Sequence, residues 1–129
     1  MALVIDLKPT ERIIIGTTLI TNDSGHSSRL RIEGDAPIMR EKDIMRENEA
    51  NTPCKKVYLT IQLMYLADDP APLHAPYFEQ IRDIMKAAPS TTPFFTKIND
   101  HLMDNAYYKA LKEARNLVKY EEELLAHAQ

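Results

Sequence analysis

The sequence predicts an α+β fold in which a small N-terminal antiparallel β module, a barrel or sandwich, is followed by about four helices packed as a bundle. Three observations predict it. From Leu3 to Ile44 the chain alternates short β-rich runs with Gly, Pro and Asn turns, whereas after Thr52 the apolar residues recur at helical spacing. Between the two regimes lies a charged knot, Arg40-Glu41-Lys42-Asp43-Ile44, entered from Met39 and explained by no ordinary turn signal. The natural division is a β module over 1–46 and a helical region over 47–129.

Leu3-Val4-Ile5-Asp6-Leu7 is a first strand, closed by Lys8-Pro9-Thr10 because proline has no N–H to donate to a ladder. Arg12-Ile13-Ile14-Ile15 is β-branched, Gly16 permits a turn or bulge, and Thr17–Thr21 resumes the strand before Asn22-Asp23-Ser24-Gly25 turns again. Ser28-Arg29-Leu30-Arg31-Ile32-Glu33 alternates strictly, so Arg29 and Arg31 share one face while Leu30 and Ile32 take the other. Gly34-Asp35-Ala36-Pro37 turns once more, and Ile38-Met39 leads into the knot.

Thr52-Pro53 is a helix start, with threonine as N-cap and proline at the first helical position. The stripe Val57, Tyr58, Ile61, Met64, Tyr65 runs to Leu66, and Asp68-Asp69-Pro70 breaks it. Beyond Pro72 and Pro76, Tyr77, Phe78, Ile81, Ile84 and Met85 form a second stripe. Thr92-Pro93 repeats the start signal for a third helix marked by Phe94, Phe95, Ile98 and Leu102. Tyr107, Leu111, Ala114, Leu117, Val118 and Leu124 mark a fourth, with Glu121-Glu122-Glu123 read as its solvated face. Short connections between these helices predict antiparallel packing.

The 129 residues are enough for one domain or for a β module and a helical partner sharing a core. No window approaches the roughly 18 consecutive apolar residues of a membrane span. The N-terminal run meets Asp6 without a basic lead, unlike an export signal. Cys54, the single cysteine, excludes an internal disulfide and a cysteine-based zinc site and fits a reducing compartment. The expected location is cytoplasmic. A net charge of −3 excludes a broad positive field, so any nucleic-acid contact is a local patch. Arginine is concentrated toward the front, at Arg12, Arg29, Arg31, Arg40 and Arg46, with only Arg82 and Arg115 behind. Guanidinium forks suit phosphate and base edges.

Catalytic signatures are missing: there is no Gly-rich phosphate loop, no His-Glu-x-x-His and no Gly-x-Ser-x-Gly. His26, His74, His101 and His127 are scattered, with no i,i+4 pair to hold a metal. No enzyme activity, cofactor or metal is expected. Cys54 falls in the first turn of the Thr52-Pro53 helix beside Lys55 and Lys56, where a thiolate is conceivable, but a small half-buried residue facing the β module is the stronger expectation. The tyrosines Tyr58, Tyr65, Tyr107 and Tyr108, at helical spacing, read as core and rim before they read as base-stacking platforms.

Thr10-Glu11-Arg12-Ile13-Ile14-Ile15-Gly16, Leu30-Arg31-Ile32-Glu33-Gly34-Asp35-Ala36-Pro37 and Arg40-Glu41-Lys42-Asp43-Ile44 together resemble the layout of the CsrA family of translational regulators. That resemblance implies a small strand-exchanged β dimer binding loops in mRNA leaders, with Ile5, Lys8 and Arg40 at the RNA surface. The chain departs from the pattern after Pro37, where only Ile38-Met39 precede Arg40, so the last strand is short. A longer resemblance covers nearly the whole chain. Leu7-Lys8-Pro9 with Glu11-Arg12, the Arg40–Ile44 knot, Thr52-Pro53, Gln62-Leu63-Met64-Tyr65, Tyr108-Lys109-Ala110-Leu111, Arg115 and Tyr120-Glu121 are together similar to the FlbT family of flagellin-synthesis regulators. It departs at Gly16-Thr17, where Asn-Gly is usual.

The FlbT resemblance implies a cytoplasmic post-transcriptional regulator that binds the 5′ leader of flagellin mRNA and alters its translation or stability. The residues expected to hold RNA are Arg40, Lys42, Arg29, Arg31, Lys8 and Ile5, with Glu41 and Asp43 orienting the cations. The competing expectation for the knot is a salt-bridge cluster joining the β module to the helices. A rival function is a helical protein–protein adaptor or chaperone-like partner of flagellin or of another flagellar regulator, without direct RNA contact. A homodimer is expected, because short β modules close their edges by association. Neither membrane nor DNA is expected as a partner.

Overall fold

The computed structural model describes residues 2–128, so Gln129, the last residue of the helical region, lies outside it. The chain divides into two compact units, the first ending at Ile44 and the second beginning at Met45. Among the described residues the first unit holds five strands and the second four α-helices, as an α+β chain requires.

The strands are β1 (Ala2–Leu7), β2 (Arg12–Ile15), β3 (Thr18–Thr21), β4 (Ser28–Glu33) and β5 (Ile38–Arg40). They do not close into a barrel. They form two small sheets, the antiparallel pair β1-β4 and the antiparallel order β3-β2-β5. β2 and β3 are a hairpin whose two loop residues are Gly16 and Thr17, since Ile15 faces Thr18. Gly16 has φ +62 at the first loop position, the sign pattern of a type II′ turn, so the turn reading of Gly16 holds rather than the bulge. β5 is three residues long, the short last strand foreseen from the sequence. Leu7, Ile13 and Met39 are the buried residues from which this unit draws its apolar support.

Two turns fix the ends of β1 and β2. In Lys8-Pro9-Thr10-Glu11, the Glu11 N–H donates to the Lys8 carbonyl at 3.0 Å. Pro9 presets the second position and Thr10, at φ +66, occupies the left-handed third position that type II turns reserve for glycine. The buried Asn22 amide donates to the carbonyls of Leu7 at 2.8 Å and His26 at 3.0 Å, while its oxygen accepts from the Ser24 N–H at 3.0 Å. One side chain thus ties the loop after β3 to the end of β1.

The helices are α1 (Pro53–Leu66), α2 (His74–Ala87), α3 (Thr92–Met103) and α4 (Tyr107–His127). Thr52 caps α1 as read from the sequence, its hydroxyl accepting from the Lys55 N–H at 3.2 Å. Thr92 does not cap α3. A 3-10 turn over Pro89–Thr91 already has helical backbone at Thr91, so Thr92 is the first residue of α3 and its hydroxyl donates back to the Pro89 carbonyl at 2.8 Å. α3 ends in a Schellman arrangement: Asn105 takes the left-handed conformation at φ +57, its N–H reaches Leu102, and the Ala106 N–H reaches His101.

α4 packs against both α1 and α3, and α1 against α2. The core is drawn from Val57, Ile61, Met64, Tyr77, Ile81, Phe95, Ile98, Leu102, Leu111 and Leu117, with Ala110 and Ala114 giving α4 close approach. Each fully buried Ile, Leu, Met or Phe contributes about 1.5–3 kcal/mol, so this unit is held mainly by burial. The apolar stripe of α4 outlasts its body: every residue from Glu122 to Ala128 is exposed, Leu124 among them. No helix is long and apolar enough to cross a membrane among the described residues.

Candidate nucleic-acid interface

The β1-β4 ribbon pairs Asp6 with Arg29 and Val4 with Arg31 directly across the ladder. Directly opposite residues share a face, so Arg29, Arg31, Glu33, Asp6 and Val4 lie on one side of the ribbon. On β4 these positions are all exposed, alternating with half-buried Ser28, Leu30 and Ile32. Ile5 pairs with Leu30 and therefore lies on the opposite, apolar side. The structure brings Arg29 and Arg31 together and leaves Ile5 apart from them.

Arg29 Nε donates to Asp6 Oδ1 at 3.0 Å, and Arg31 Nε to Glu33 Oε1 at 2.9 Å. Arg40, at the end of β5, reaches the end of β1 from the other sheet. Its two terminal nitrogens donate to the Asp6 carbonyl at 3.3 Å each, and one also reaches Glu11 Oε1 at 3.2 Å. Glu11 Oε1 in addition accepts from the Lys8 backbone N–H at 2.9 Å. Lys8, Arg29, Arg40 and Lys42 thus gather about two carboxylates. Their effect is seen in the carboxyl groups themselves. Asp6 is held below the usual carboxylate range by the Arg29 hydrogen bond and charge, with Arg40 adding to it. Glu11 is lowered first by its bond from the Lys8 backbone, then by the fields of Arg40, Lys8 and Lys42. Arg29 is raised in turn by Asp6.

The charged knot is not a linker. Arg40 ends β5, and Glu41–Asp43 form one 3-10 turn closed by the Ile44 N–H onto the Glu41 carbonyl at 3.1 Å. Glu41 is not the partner of Arg40: it pairs with Arg12 Nε at 2.7 Å. The carboxylates paired with Arg29, Arg31 and Arg40 are Asp6, Glu33 and Glu11. Sequence reasoning missed Asp6, Glu11 and Arg12 because their roles depend on which strands pair, and only the register of β1 against β4 places Asp6 opposite Arg29.

In the second unit, one residue expected at the surface is buried. Glu121 is 8% exposed, whereas Glu122 and Glu123 are solvated as read. Its carboxylate accepts from the Thr52 hydroxyl and from the Cys54 N–H at 3.0 Å, at the N-terminus of α1. The helix dipole, the orphan Cys54 N–H and the Thr52 hydroxyl explain why a charge is tolerated there. Cys54 is correspondingly no thiolate. Burial, then the adjacent Glu121 charge, push its thiol up to about 12. Tyr58 is core, while Tyr65 and Tyr108 form a rim pair with ring centroids 5.5 Å apart. No group of His, Cys, Asp and Glu could hold a metal ion among the described residues.

The family model for the flagellar protein FlbT matches residues 3–125. The chain is 49% identical to the probable flagellum biosynthesis repressor protein FlbT 1 of Bradyrhizobium diazoefficiens, over 96% of this chain and 85% of that protein. It is 44% identical to a probable flagellum biosynthesis repressor protein FlbT of Rhodopseudomonas palustris, over 98% of this chain and 99% of the relative. It is 30% identical to the flagellum biosynthesis repressor protein FlbT of Caulobacter vibrioides, over 98% and 92% of the two chains. No solved structure matches it.

Proposed function

The chain belongs to the FlbT family and is a regulator of flagellar synthesis rather than an enzyme, and from that premise we propose that it acts after transcription, by binding the 5′ leader of flagellin mRNA. Binding alters translation or stability of the message, and cellular ribonucleases carry out any decay. The observation that supports this reading is the gathering of Lys8, Arg29, Arg40 and Lys42 about Asp6 and Glu11 at the end of β1. Arg31 continues the row along β4. Guanidinium forks displayed on a solvated strand can exchange carboxylate oxygens for the base edges of an unpaired loop. The protein works in the cytoplasm, as a homodimer, and Glu41 and Asp43 shape the turn that sets Arg40.

The test is leader-RNA binding by Arg31→Ala and by Arg40→Ala, with folding verified by circular dichroism. Each substitution is expected to weaken binding about tenfold or more, and Lys97→Ala, on an exposed site of α3, to leave it unchanged. Unchanged affinity and salt slope for both arginine variants would remove the assigned role. A protein partner is the second reading, favoured by the exposure of Leu63 (47%), Phe78 (46%) and Met103 (82%) on the helical unit. Partner proteins that stay bound after ribonuclease treatment of the purified complex would support that adaptor role.

A further inference from the structure

The arginines of the first unit are already occupied. Up to Ile44 the sequence holds Lys8, Arg12, Arg29, Arg31, Arg40 and Lys42 against Asp6, Glu11, Asp23, Glu33, Asp35, Glu41 and Asp43, six positive charges facing seven negative ones. All four arginines have a carboxylate within 2.7 to 3.2 Å. The two on β4 differ from the others in one respect that matters. Arg40 and Glu11 are 29% and 26% exposed and Arg12 and Glu41 43% and 44%, whereas Arg29 and Asp6 are 75% and 63% exposed, and Arg31 and Glu33 70% and 67%. The exposed pairs lie where an incoming nucleic acid would meet them, and the half-buried pair holds the turn in place.

From this we propose that Asp6 and Glu33 are specificity-determining residues, guards that keep generic polyanions off Arg29 and Arg31. The proposal rests on the RNA reading above and deepens it. A phosphate that takes either arginine leaves a carboxylate uncompensated beside it, so the repulsion cancels most of the attraction. Affinity founded on phosphate neutralisation alone is therefore withheld, although that term supplies essentially all non-specific binding to nucleic acid. A base edge behaves differently: it offers neutral acceptors to the guanidinium and amine donors to the carboxylate, and so satisfies both members of the pair. The recognised class is unpaired RNA that presents base edges to the Asp6/Arg29 and Glu33/Arg31 pairs, and backbone charge serves only to position it. Replacing the two carboxylates by amides keeps their shape and turns the first unit from a net negative into a net positive surface.

The experiment compares wild type with Asp6→Asn, Glu33→Gln and the double variant. A fluorescently labelled polyuridylate of about 20 nucleotides, whose bases carry no exocyclic amine to donate to Asp6 or Glu33, serves as a generic polyanion, and flagellin leader RNA is titrated in parallel at several salt concentrations. The expected result is that the double variant binds polyuridylate about tenfold or more tightly than wild type at low salt, with a salt slope steeper by about one. Each single variant gives an intermediate gain. Both positions are solvent-exposed, and the single variants keep the comparison open if the double one folds poorly. Polyuridylate affinity unchanged in all three variants would overturn the guard role. Leader binding by the wild type reads the parent function separately. A gain for polyuridylate without any leader binding would sustain the guard and refute the leader as target, whereas leader binding without a gain would do the reverse.

Discussion

Thr10 holds a left-handed backbone, at φ +66, that a β-branched side chain disfavours. The turn persists because three hydrogen bonds surround it: Thr10 N–H to the Asn22 carbonyl, Glu11 N–H to the Lys8 carbonyl, and Lys8 N–H to the Glu11 carboxylate. Thr10→Gly should relieve this strain and stabilise the first unit by about 1 kcal/mol in denaturant titration, net of the added unfolded-state entropy. A loss of stability would show that the threonine side chain itself is needed. The same turn predicts an acid response. Asp6 and Glu11 have carboxyls lowered from ordinary values of 3.8 and 4.5, so their contribution is complete above those values and lost as pH falls through the lower folded ones. The β-sheet signal should weaken at acid pH, and less so in Asp6→Asn/Glu11→Gln. Cys54 gives a third check. With the thiol 2% exposed and raised to about 12, alkylating reagents at pH 8 should label it only as fast as the second unit opens. At this scale the sequence was half legible. Arg29, Arg31 and Arg40 could be named from alternation and motif, but Asp6, Glu11 and Glu121 act through partners 23, 29 and 67 or more residues away, a distance no local pattern encodes.

Among the elements, α1 is the best specified by its own residues. Thr52 and Pro53 start it, Asp68-Asp69-Pro70 follows its end, and the structure bounds it at Pro53–Leu66. Its N-terminus nevertheless depends on α4, because Glu121 supplies the carboxylate that Thr52 and the Cys54 N–H bond. Glu121→Gln should cost the second unit about 1–2 kcal/mol, measured by urea unfolding of its helical signal, whereas Glu122→Gln, on the solvated side, should be silent. Equal effects at the two positions would contradict the capping role. Gln62 is a second such tie, its amide accepting from the Met45 N–H at 2.8 Å and donating to the Met45 carbonyl at 3.0 Å. Strand and helix existence was readable because period 2 and period 3.6 are local properties. The start of α3 was not, because a 3-10 turn extends its helical backbone upstream of the threonine that carries the capping signal. Strand partnership was not readable either, so barrel and sandwich both stood open, and the strands form two small sheets rather than a barrel.

At the level of the whole molecule, the boundary between strand-rich and helix-rich sequence is also the boundary between two compact units, and the charged knot closes the first of them. Burial organises the helical unit around an ordinary core. Ion pairs and turn hydrogen bonds organise the strand unit, which buries far fewer side chains and spends its charges on one another. That contrast is why the proposed RNA contact is sought on the first unit. The most direct test is a crosslinking map: the intact protein is irradiated with flagellin leader RNA, digested, and the RNA-bearing peptides identified. The account predicts crosslinks within residues 4–12 and 28–42, weakened by Arg31→Ala. Crosslinks confined to α1–α4, or a leader that forms no complex with the folded protein, would contradict it.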